Sequence, residues 1–197
     1  MFSGIITDLG QIRQIRKQAD WEIEIATKLP MEKIKIGDSI ACSGVCLTVT
    51  KKTADSFFIE ASKETIDRTT VQYWAQGGAL NLETSLRLGD SINGHLVYGH
   101  VDGIAEIKAI MPVGASHKVT MQIPANLAKY IVFKGSVTVN GISLTINEVR
   151  GNEFDVNIIP HTWQVTDFRH LAVGGKVNVE VDMIARYVER ILNHKAA

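Results

Sequence analysis

The sequence predicts a mainly β protein of two similar six-stranded antiparallel Greek-key-type barrels, with short helices and a C-terminal α-helix. Three observations lead to this fold class. Short stretches alternate apolar with polar residues, Gly, Asp and Asn separate these stretches, and the second half of the chain repeats the first. We expect an N-terminal barrel over residues 1–95, a C-terminal barrel over 96–182 and a helix over 183–197.

The composition excludes several classes of partner. Apolar residues make up 45% of the 197 residues and charged residues 21%, as in ordinary globular proteins. Lys plus Arg number 21 and Asp plus Glu number 21, which argues against nucleic acid or a membrane surface as the partner. No apolar run reaches the roughly 20 residues of a membrane span. The start, Met1–Asp8, lacks the features of a signal peptide, so we expect a cytoplasmic protein.

Alternation of apolar and polar residues predicts the strands, and an Asn-Gly turn at 140–141 feeds one of them. The predicted strands are Trp21–Ile25, Ser39–Val49, Ser56–Ala61, Val119–Ile123, Ser136–Ile146, Glu153–Ile159 and Lys176–Val181. Internal helices are expected at Lys63–Trp74 and Ala125–Phe133. The last helix, Asp182–His194, carries one apolar stripe with Asp182 placed as its cap. That stripe packs either on the chain's own barrel or on another subunit.

An internal repeat relates the two barrels. Residues 39–85 align without a gap to residues 136–182, 97 positions later, and Gly4–Asp8 align to Gly99–Gly103 at a spacing of 95. Two related barrels imply a pseudo-twofold arrangement, and if each keeps its pocket the molecule binds one ligand twice. Duplication for stability alone explains paired Gly and aliphatic residues, but it explains the paired polar residues less well. Identical pairs include Gly44/Gly141, Leu47/Leu144, Thr48/Thr145, Thr65/Thr162, Asn81/Asn178 and Glu83/Glu180.

The differences between the two copies are concentrated in polar groups. Such divergence is expected if the two copies bind two molecules of one substrate that play different chemical roles. Neutral drift on the surface would instead scatter the changes, whereas several of them lie within or beside the shared motifs. The differing pairs are Cys46/Ser143, Ser43/Asn140, Lys63-Glu64/Pro160-His161, Ile5/His100 and Ser85/Asp182.

Histidines and glycines mark the junction of the barrels at Asn93–Gly103. Histidine carries protons near neutral pH, and a lone histidine such as His95 is as often structural. His100 is the stronger candidate because it takes the place of Ile5. A metal site is the alternative, but residues five apart on a strand face opposite ways and no zinc-type spacing is present.

Two cysteines, Cys42 and Cys46, are expected as free thiols. Four apart on one strand, they would share a face at a distance too great for a disulfide. Cys42 is expected in the core. Cys46 is expected in a pocket, because it replaces Ser143 of the other copy.

Together these motifs resemble the riboflavin synthase family over essentially the whole chain. The resemblance implies disproportionation of two 6,7-dimethyl-8-ribityllumazine molecules in one active site, giving riboflavin and 5-amino-6-ribitylamino-pyrimidinedione, with no cofactor or metal. It also implies a homotrimer held by C-terminal helices, active sites between the N-barrel of one subunit and the C-barrel of its neighbour, and association with lumazine synthase. The matching segments are Met1–Ile6, Gly37–Val49, Lys63–Thr65, Gly94–Gly103, Lys134–Thr145, Ile159–Thr162 and Val177–Asp182.

The resemblance also implies which residues surround the ligands. In the N-barrel these are Gly4, Ile5, Ile6, Cys46, Leu47, Thr48, Glu60, Ala61, Ser62, Lys63, Glu64 and Thr65. In the C-barrel they are Gly99, His100, Val101, Ser143, Leu144, Thr145, Asn157, Ile158, Ile159, Pro160, His161 and Thr162. Lys134 is expected to reach a ligand in the adjacent subunit. For the chemistry we expect Ser143, Thr145 and Asp182, with Cys46, Ser39 and His100 as secondary candidates.

One departure and two alternatives remain. The family commonly has Asp where this chain has Asn140, so a base at that position is in doubt. The first alternative is a non-catalytic lumazine- or flavin-binding protein of the same fold. The second is a two-barrel oligonucleotide or oligosaccharide binder, which zero net charge and the lack of a basic, aromatic-rich strand disfavour.

Overall fold

The computed structural model describes residues 1–194 and contains two closed six-stranded antiparallel barrels. In the first barrel the spatial order is β1-β2-β5-β4-β3-β6, a Greek-key arrangement in which β2 lies beside β5. Its strands are β1 Asp8–Lys17, β2 Trp21–Ala26, β3 Ser39–Cys42, β4 Val45–Lys52, β5 Ser56–Ala61 and β6 Ala79–Thr84.

The second barrel repeats this order as β7-β8-β11-β10-β9-β12, which confirms the predicted fold class. Each barrel encloses its own apolar core. No helix of residues 1–194 is both long and apolar enough to span a membrane. The strands are β7 Gly103–Val113, β8 Ser116–Gln122, β9 Ser136–Val139, β10 Ile142–Arg150, β11 Glu153–Ile158 and β12 Lys176–Val181.

The helices are shorter than predicted, except the last. The expected helix Lys63–Trp74 is instead α1 (Lys63–Arg68) followed by a 3₁₀ helix, because Thr69 is extended and its Oγ1 accepts a hydrogen bond from Val71 N. Its repeat is α2 (Pro160–Val165), and Ala125–Tyr130 is a 3₁₀ helix. The predicted C-terminal helix is α3 (Met183–His194), and residues 195–197 of its predicted range lie outside the described residues.

Two stretches that were predicted as strands are β-hairpins. Ser43-Gly44 joins β3 to β4 with φ angles of 43° and 81°, and Asn140-Gly141 joins β9 to β10 with 44° and 82°. Positive φ at both central residues is the geometry of a type I′ turn, which suits tight hairpins. Cys42 and Cys46 therefore lie on neighbouring strands, which corrects the single-strand prediction. Cys42 is buried, as expected, and burial raises the pKa of its thiol.

Strands β6 and β12 have buried side chains on both faces. Leu80 and Leu82 of β6 point into the first core, while Asn81 and Glu83 are buried on the opposite face, towards the second barrel. The same alternation recurs along β12. At the centre of the interface the two hairpin turns meet. A Cβ placed on Gly44 would lie 2.6 Å from Gly141 N.

Gly44→Ala is expected to lower the free energy of unfolding by several kcal/mol. The substitution adds about 1–2 kcal/mol of left-handed backbone strain to a collision with the backbone of the opposite turn. Chemical denaturation measures the change. Gly77→Ala is the matched control, because Gly77 has φ +84° but nothing lies within 4 Å of its added Cβ. Equal losses in the two variants would contradict a tight contact between the turns.

Candidate functional site

The segment before each barrel packs on the other barrel. Ser143 N, on β10, donates a 2.8 Å hydrogen bond to Gly4 O, and Cys46 N, on β4, donates a 2.9 Å hydrogen bond to Gly99 O. Ile6 packs against the core of the second barrel and Val101 against that of the first. The segment that precedes the first strand of each barrel therefore completes the pocket wall of the other barrel. These two leading segments are Gly4–Ile6 and Gly99–Val101.

This crossing corrects the predicted grouping of the ligand shells. Gly4–Ile6 lie with Ser143 of the second barrel, and Gly99–Val101 lie with Cys46 of the first. The physical reason is that both leading segments lie at the interface between the barrels. From there each one packs on the barrel that it does not belong to. We call the wall beside Cys46 the thiol wall and the wall beside Ser143 the serine wall.

Two buried carboxylates hold the leading segments. Glu83 accepts hydrogen bonds from Ser3 N, at 2.7 Å, and from Gly4 N, at 3.0 Å. Glu180 accepts from Tyr98 N, at 2.7 Å, and from His100 N, at 2.9 Å. Burial raises the pKa of Glu83, and it raises the pKa of Glu180 to about 7 against the effect of these N–H donors. The repeated Glu thus fixes the backbone that forms each wall.

Glycine is required where the segments touch the walls. A Cβ on Gly4 would lie 2.5 Å from Ser143 Cβ, and a Cβ on Gly99 would lie 2.6 Å from Cys46 Cβ. A Cβ placed on Gly94 would lie 2.7 Å from Ser143 Cβ. The repeated glycines Gly4 and Gly99 therefore allow close backbone approach to Ser143 and Cys46, one of the pairs that differ between the copies.

A cavity of about 420 Å³ lies at the thiol wall. Six predicted site residues line it, from both barrels, together with two arginines and Asp102 that were not predicted. On β4 Thr48 is exposed on the same side as Cys46, whereas Leu47 and, on β5, Ala61 lie in the core. The predicted residues that line the cavity are Cys46, Glu64, Thr65, Gly99, His100 and Val101. Glu60, Ser62 and Lys63 are exposed nearby in sequence.

The serine wall carries an imidazole. Ser143 Oγ lies 2.7 Å from His95 Nδ1, and Thr138 Oγ1 lies 3.1 Å from His95 Nε2. Burial lowers the pKa of His95, while the charge of Asp182 raises it. The lowered pKa favours a neutral imidazole at neutral pH, and a neutral imidazole can accept a proton. Thr145 is exposed on the same side of β10 as Ser143.

The other predicted residues take varied positions. Asp182 Oδ1 accepts a 2.9 Å bond from Ile184 N at the start of α3, so Asp182 caps this helix as expected. Ser39 pairs with Thr48 across β3 and β4, and Lys134 Nζ contacts Asn147 Oδ1 at 3.1 Å. On the second barrel Ile158 lies in the core and Leu144 packs against it. The exposed or half-buried members are Ile5, Asn157, Ile159, Pro160, His161 and Thr162.

His95 was left out of the predicted site residues. It lies before the second copy of the repeat, where the first copy has no counterpart, so the comparison of the copies could not single it out. The signal in the sequence was its place among the glycines and histidines of Asn93–Gly103, next to Gly94, which the structure packs on Ser143. Asp102 and Arg186 were likewise missed.

Asn140 does not face either wall. Its side chain is 4% exposed, Oδ1 accepts a 2.7 Å bond from Asn178 N, and Nδ2 donates a 2.7 Å bond to Asp167 Oδ2. Burial raises the pKa of Asp167 to about 6, although Asn81 and Asn140 donate to its carboxylate. Asn140 therefore belongs to the buried network that joins the barrels.

The chain thus has two similar barrels, and the segment that precedes each barrel completes the pocket wall of the other. The Lumazine binding domain matches residues 3–85 and 98–182 of the chain. Riboflavin synthase of Photobacterium phosphoreum is 45% identical, over 98% of this chain and 89% of that protein, and that of Brucella abortus (strain 2308) is 44% identical, over 99% and 100%. The crystal structure of LumP complexed with 6,7-dimethyl-8-(1'-D-ribityl) lumazine has a TM-score of 0.84 at 25% identity, covering 92% of this chain and 99% of that one. The chain belongs to the riboflavin synthase family.

Proposed function

We propose that this protein catalyses the riboflavin synthase reaction. Two molecules of 6,7-dimethyl-8-ribityllumazine react, a four-carbon unit passes from one to the other, and riboflavin and 5-amino-6-ribitylamino-pyrimidinedione are formed. The single observation that carries the proposal is the pair of crossed walls with different polar groups, His95 and Ser143 on one and Cys46 on the other. One fold thus offers two similar sites with unlike chemistry.

The reaction needs a proton acceptor and close positioning. The 7-methyl group of the lumazine is acidic because its carbanion delocalises into the ring, and a nucleophile adds at C7 of the partner molecule. In this proposal His95, whose pKa is lowered by burial and whose Nδ1 lies 2.7 Å from Ser143 Oγ, accepts a proton through that hydroxyl. Holding two flat heterocycles together raises their effective concentration. In this proposal Thr145 and Asp182 act with Ser143. Cys46, Ser39 and His100 have secondary roles towards the second lumazine.

Conversion of the lumazine tests the proposal directly. Purified protein incubated with 6,7-dimethyl-8-ribityllumazine is expected to produce riboflavin, seen as fluorescence at longer wavelength and by chromatography of both products in equal amounts. Tight binding of the lumazine without product would instead support a non-catalytic lumazine-binding protein. That second candidate is favoured by the likeness to LumP, but the His95–Ser143 pair favours catalysis.

We further propose a homotrimer held by α3, located in the cytoplasm and associated with lumazine synthase. The apolar stripe of α3 supports the trimer, because five of its residues are at least half exposed in the single chain. Light scattering of the purified protein, alone and mixed with lumazine synthase, tests both associations. The predicted stripe consists of Met183, which is half-buried, and of five exposed residues, Ile184, Tyr187, Val188, Ile191 and Leu192.

Glu180→Gln is expected to weaken lumazine binding at the thiol wall about tenfold and to leave the serine wall unchanged. An amide replaces one charged acceptor oxygen with a donor, and a hydrogen bond to a charged group contributes about 1.5–3 kcal/mol. Fluorescence titration with a lumazine analogue that lacks the 7-methyl group, and so cannot react, is fitted to two sites and measures both affinities. Glu83→Gln is the matched variant, since Glu83 holds the leading segment of the serine wall and should weaken the other site. Identical titrations for the two variants would contradict separate walls.

A further inference from the structure

The C-terminal helix reaches the cavity of the first barrel. Arg186 of α3 lines this cavity, and its Nη2 lies 2.6 Å from Asp102 Oδ1. The Asp102 side chain is 2% exposed, whereas that of Arg186 is 42% exposed. One edge of the guanidinium is therefore held by a buried carboxylate, while the rest of it remains accessible from the cavity.

Asp102 ties the thiol wall to the second barrel. Its Oδ2 accepts a 2.8 Å hydrogen bond from Val181 N, and its own N–H donates a 2.8 Å bond to Val179 O. Burial raises the pKa of Asp102, while the bond from Val181 and the charge of Arg186 lower it. The ion pair thus connects α3, β12 and the segment Gly99–Asp102 that forms the wall.

Among residues 1–194, the serine wall has no equivalent of this pair. Thr7 takes the place of Asp102 in the repeat, and both its N–H and its Oγ1 bond to Leu82 O, at 2.9 Å and 3.0 Å. Arg68, which also lines the cavity, is replaced by Val165 in the second copy. The two walls therefore differ in charged hydrogen-bond donors as well as in the Cys46 and Ser143 pair.

We propose that Arg186 is a positioning and specificity residue for the lumazine at the thiol wall. It fixes the segment Gly99–Asp102 through Asp102, and it presents its remaining N–H groups to the carbonyl and ribityl oxygens of the ligand. A guanidinium carries five N–H donors in a rigid fork, so one carboxylate contact leaves donors for a ligand. The inference rests on the proposed function, and it gives the C-terminal helix a role in one of the two sites only.

Lumazine titration of three variants tests the inference. Arg186→Gln is expected to weaken one of the two sites about tenfold, as for loss of a hydrogen bond to a charged group. The weakened site should be the one that Glu180→Gln weakens and not the one that Glu83→Gln weakens. Arg186→Lys keeps the charge but loses the fork, so it should restore part of the affinity. Arg190→Gln, one turn further along α3 and outside the cavity lining, is the control and should leave both sites unchanged.

Several results would overturn the inference. Equal weakening of both sites by Arg186→Gln would do so, as would unchanged affinity at both. Light scattering accompanies each titration, and a change in assembly that parallels the lost affinity would assign the effect to helix packing instead. Wild-type protein that binds no lumazine would remove the proposed function and the inference together. If the wild type binds lumazine at two sites and Arg186→Gln leaves both affinities unchanged, the inference fails while the proposed function stands.

Discussion

Ser143→Ala is expected to reduce turnover about a hundredfold or more, while KM changes little. The substitution removes the hydroxyl that lies 2.7 Å from His95 Nδ1, and general acid–base catalysis contributes roughly 10²–10⁴ to enzyme rates. Steady-state formation of riboflavin from the lumazine gives kcat and KM separately. Thr53→Ala, which removes an exposed hydroxyl at the β4–β5 turn of the other barrel, is the control and should keep wild-type kinetics.

Companion variants sharpen this test. His95→Gln should lower turnover similarly, and the double variant should be no slower than either single one if the two residues act as a unit. Asp182→Asn keeps a helix-capping side chain but removes the charge that raises the pKa of His95. Asp182→Ala should also lower turnover more than it weakens binding. Wild-type turnover in both Ser143→Ala and Asp182→Ala would show that the catalytic assignment is wrong.

Asn140→Asp is expected to lower the free energy of unfolding by about 3 kcal/mol at pH 8. The new carboxylate would replace a donor that lies 2.7 Å from Asp167 Oδ2, in a site where Asn140 is 4% exposed. Two adjacent buried carboxylates cannot both ionise without a large cost, so one must take a proton. Denaturation across a pH series measures the change.

The sign of the pH dependence follows from the raised pKa. In the wild type, the folded pKa of Asp167 is about 6 against an ordinary value of 3.8. The folded state therefore binds the extra proton, and this contribution favours folding more as pH falls from about 6 to about 4. In the Asn140→Asp variant the gain in the free energy of unfolding as pH falls should be larger, and it should begin at a higher pH than in the wild type. Asn140→Ser, which copies the repeat partner Ser43, adds no charge and should lack this enlarged pH dependence.

The sequence predicted the barrels well because the repeat and the alternation are local signals. Strands β1 and β7 were missed because bulges shift their register between Ile12 and Gln14 and between Ile107 and Ala109, which breaks the alternation. Strand β6 was not predicted, although its alternation over Leu80–Glu83 matches that of β12, which was predicted. The alternation did not reveal that Asn81 and Glu83 are buried as deeply as Leu80 and Leu82. A strand that packs between two barrels has no solvent-facing side, yet its sequence pattern can look like that of a surface strand.

The list of site residues stays a prediction, and the sequence did not predict how these residues are arranged in space. A repeat aligns Gly4 with Gly99 equally well whether each segment covers its own barrel or the other, so the sequence alone cannot distinguish the two topologies. The backbone bonds from Ser143 to Gly4 and from Cys46 to Gly99 settle the packing within one chain. Contacts such as Arg186 with Asp102 join residues from different elements and leave no periodic signal.

The crossed leading segments bear on how such a chain could arise and how it can be divided. A fragment ending at residue 95 would keep Cys46 but lose Gly99–Val101, and its own Gly4 would have no second barrel to cover. Two copies of that fragment could satisfy both needs by exchanging their first residues. The present molecule is thus equivalent to a segment-swapped dimer of single barrels whose halves have been fused, after which Cys46 and Ser143 were free to diverge.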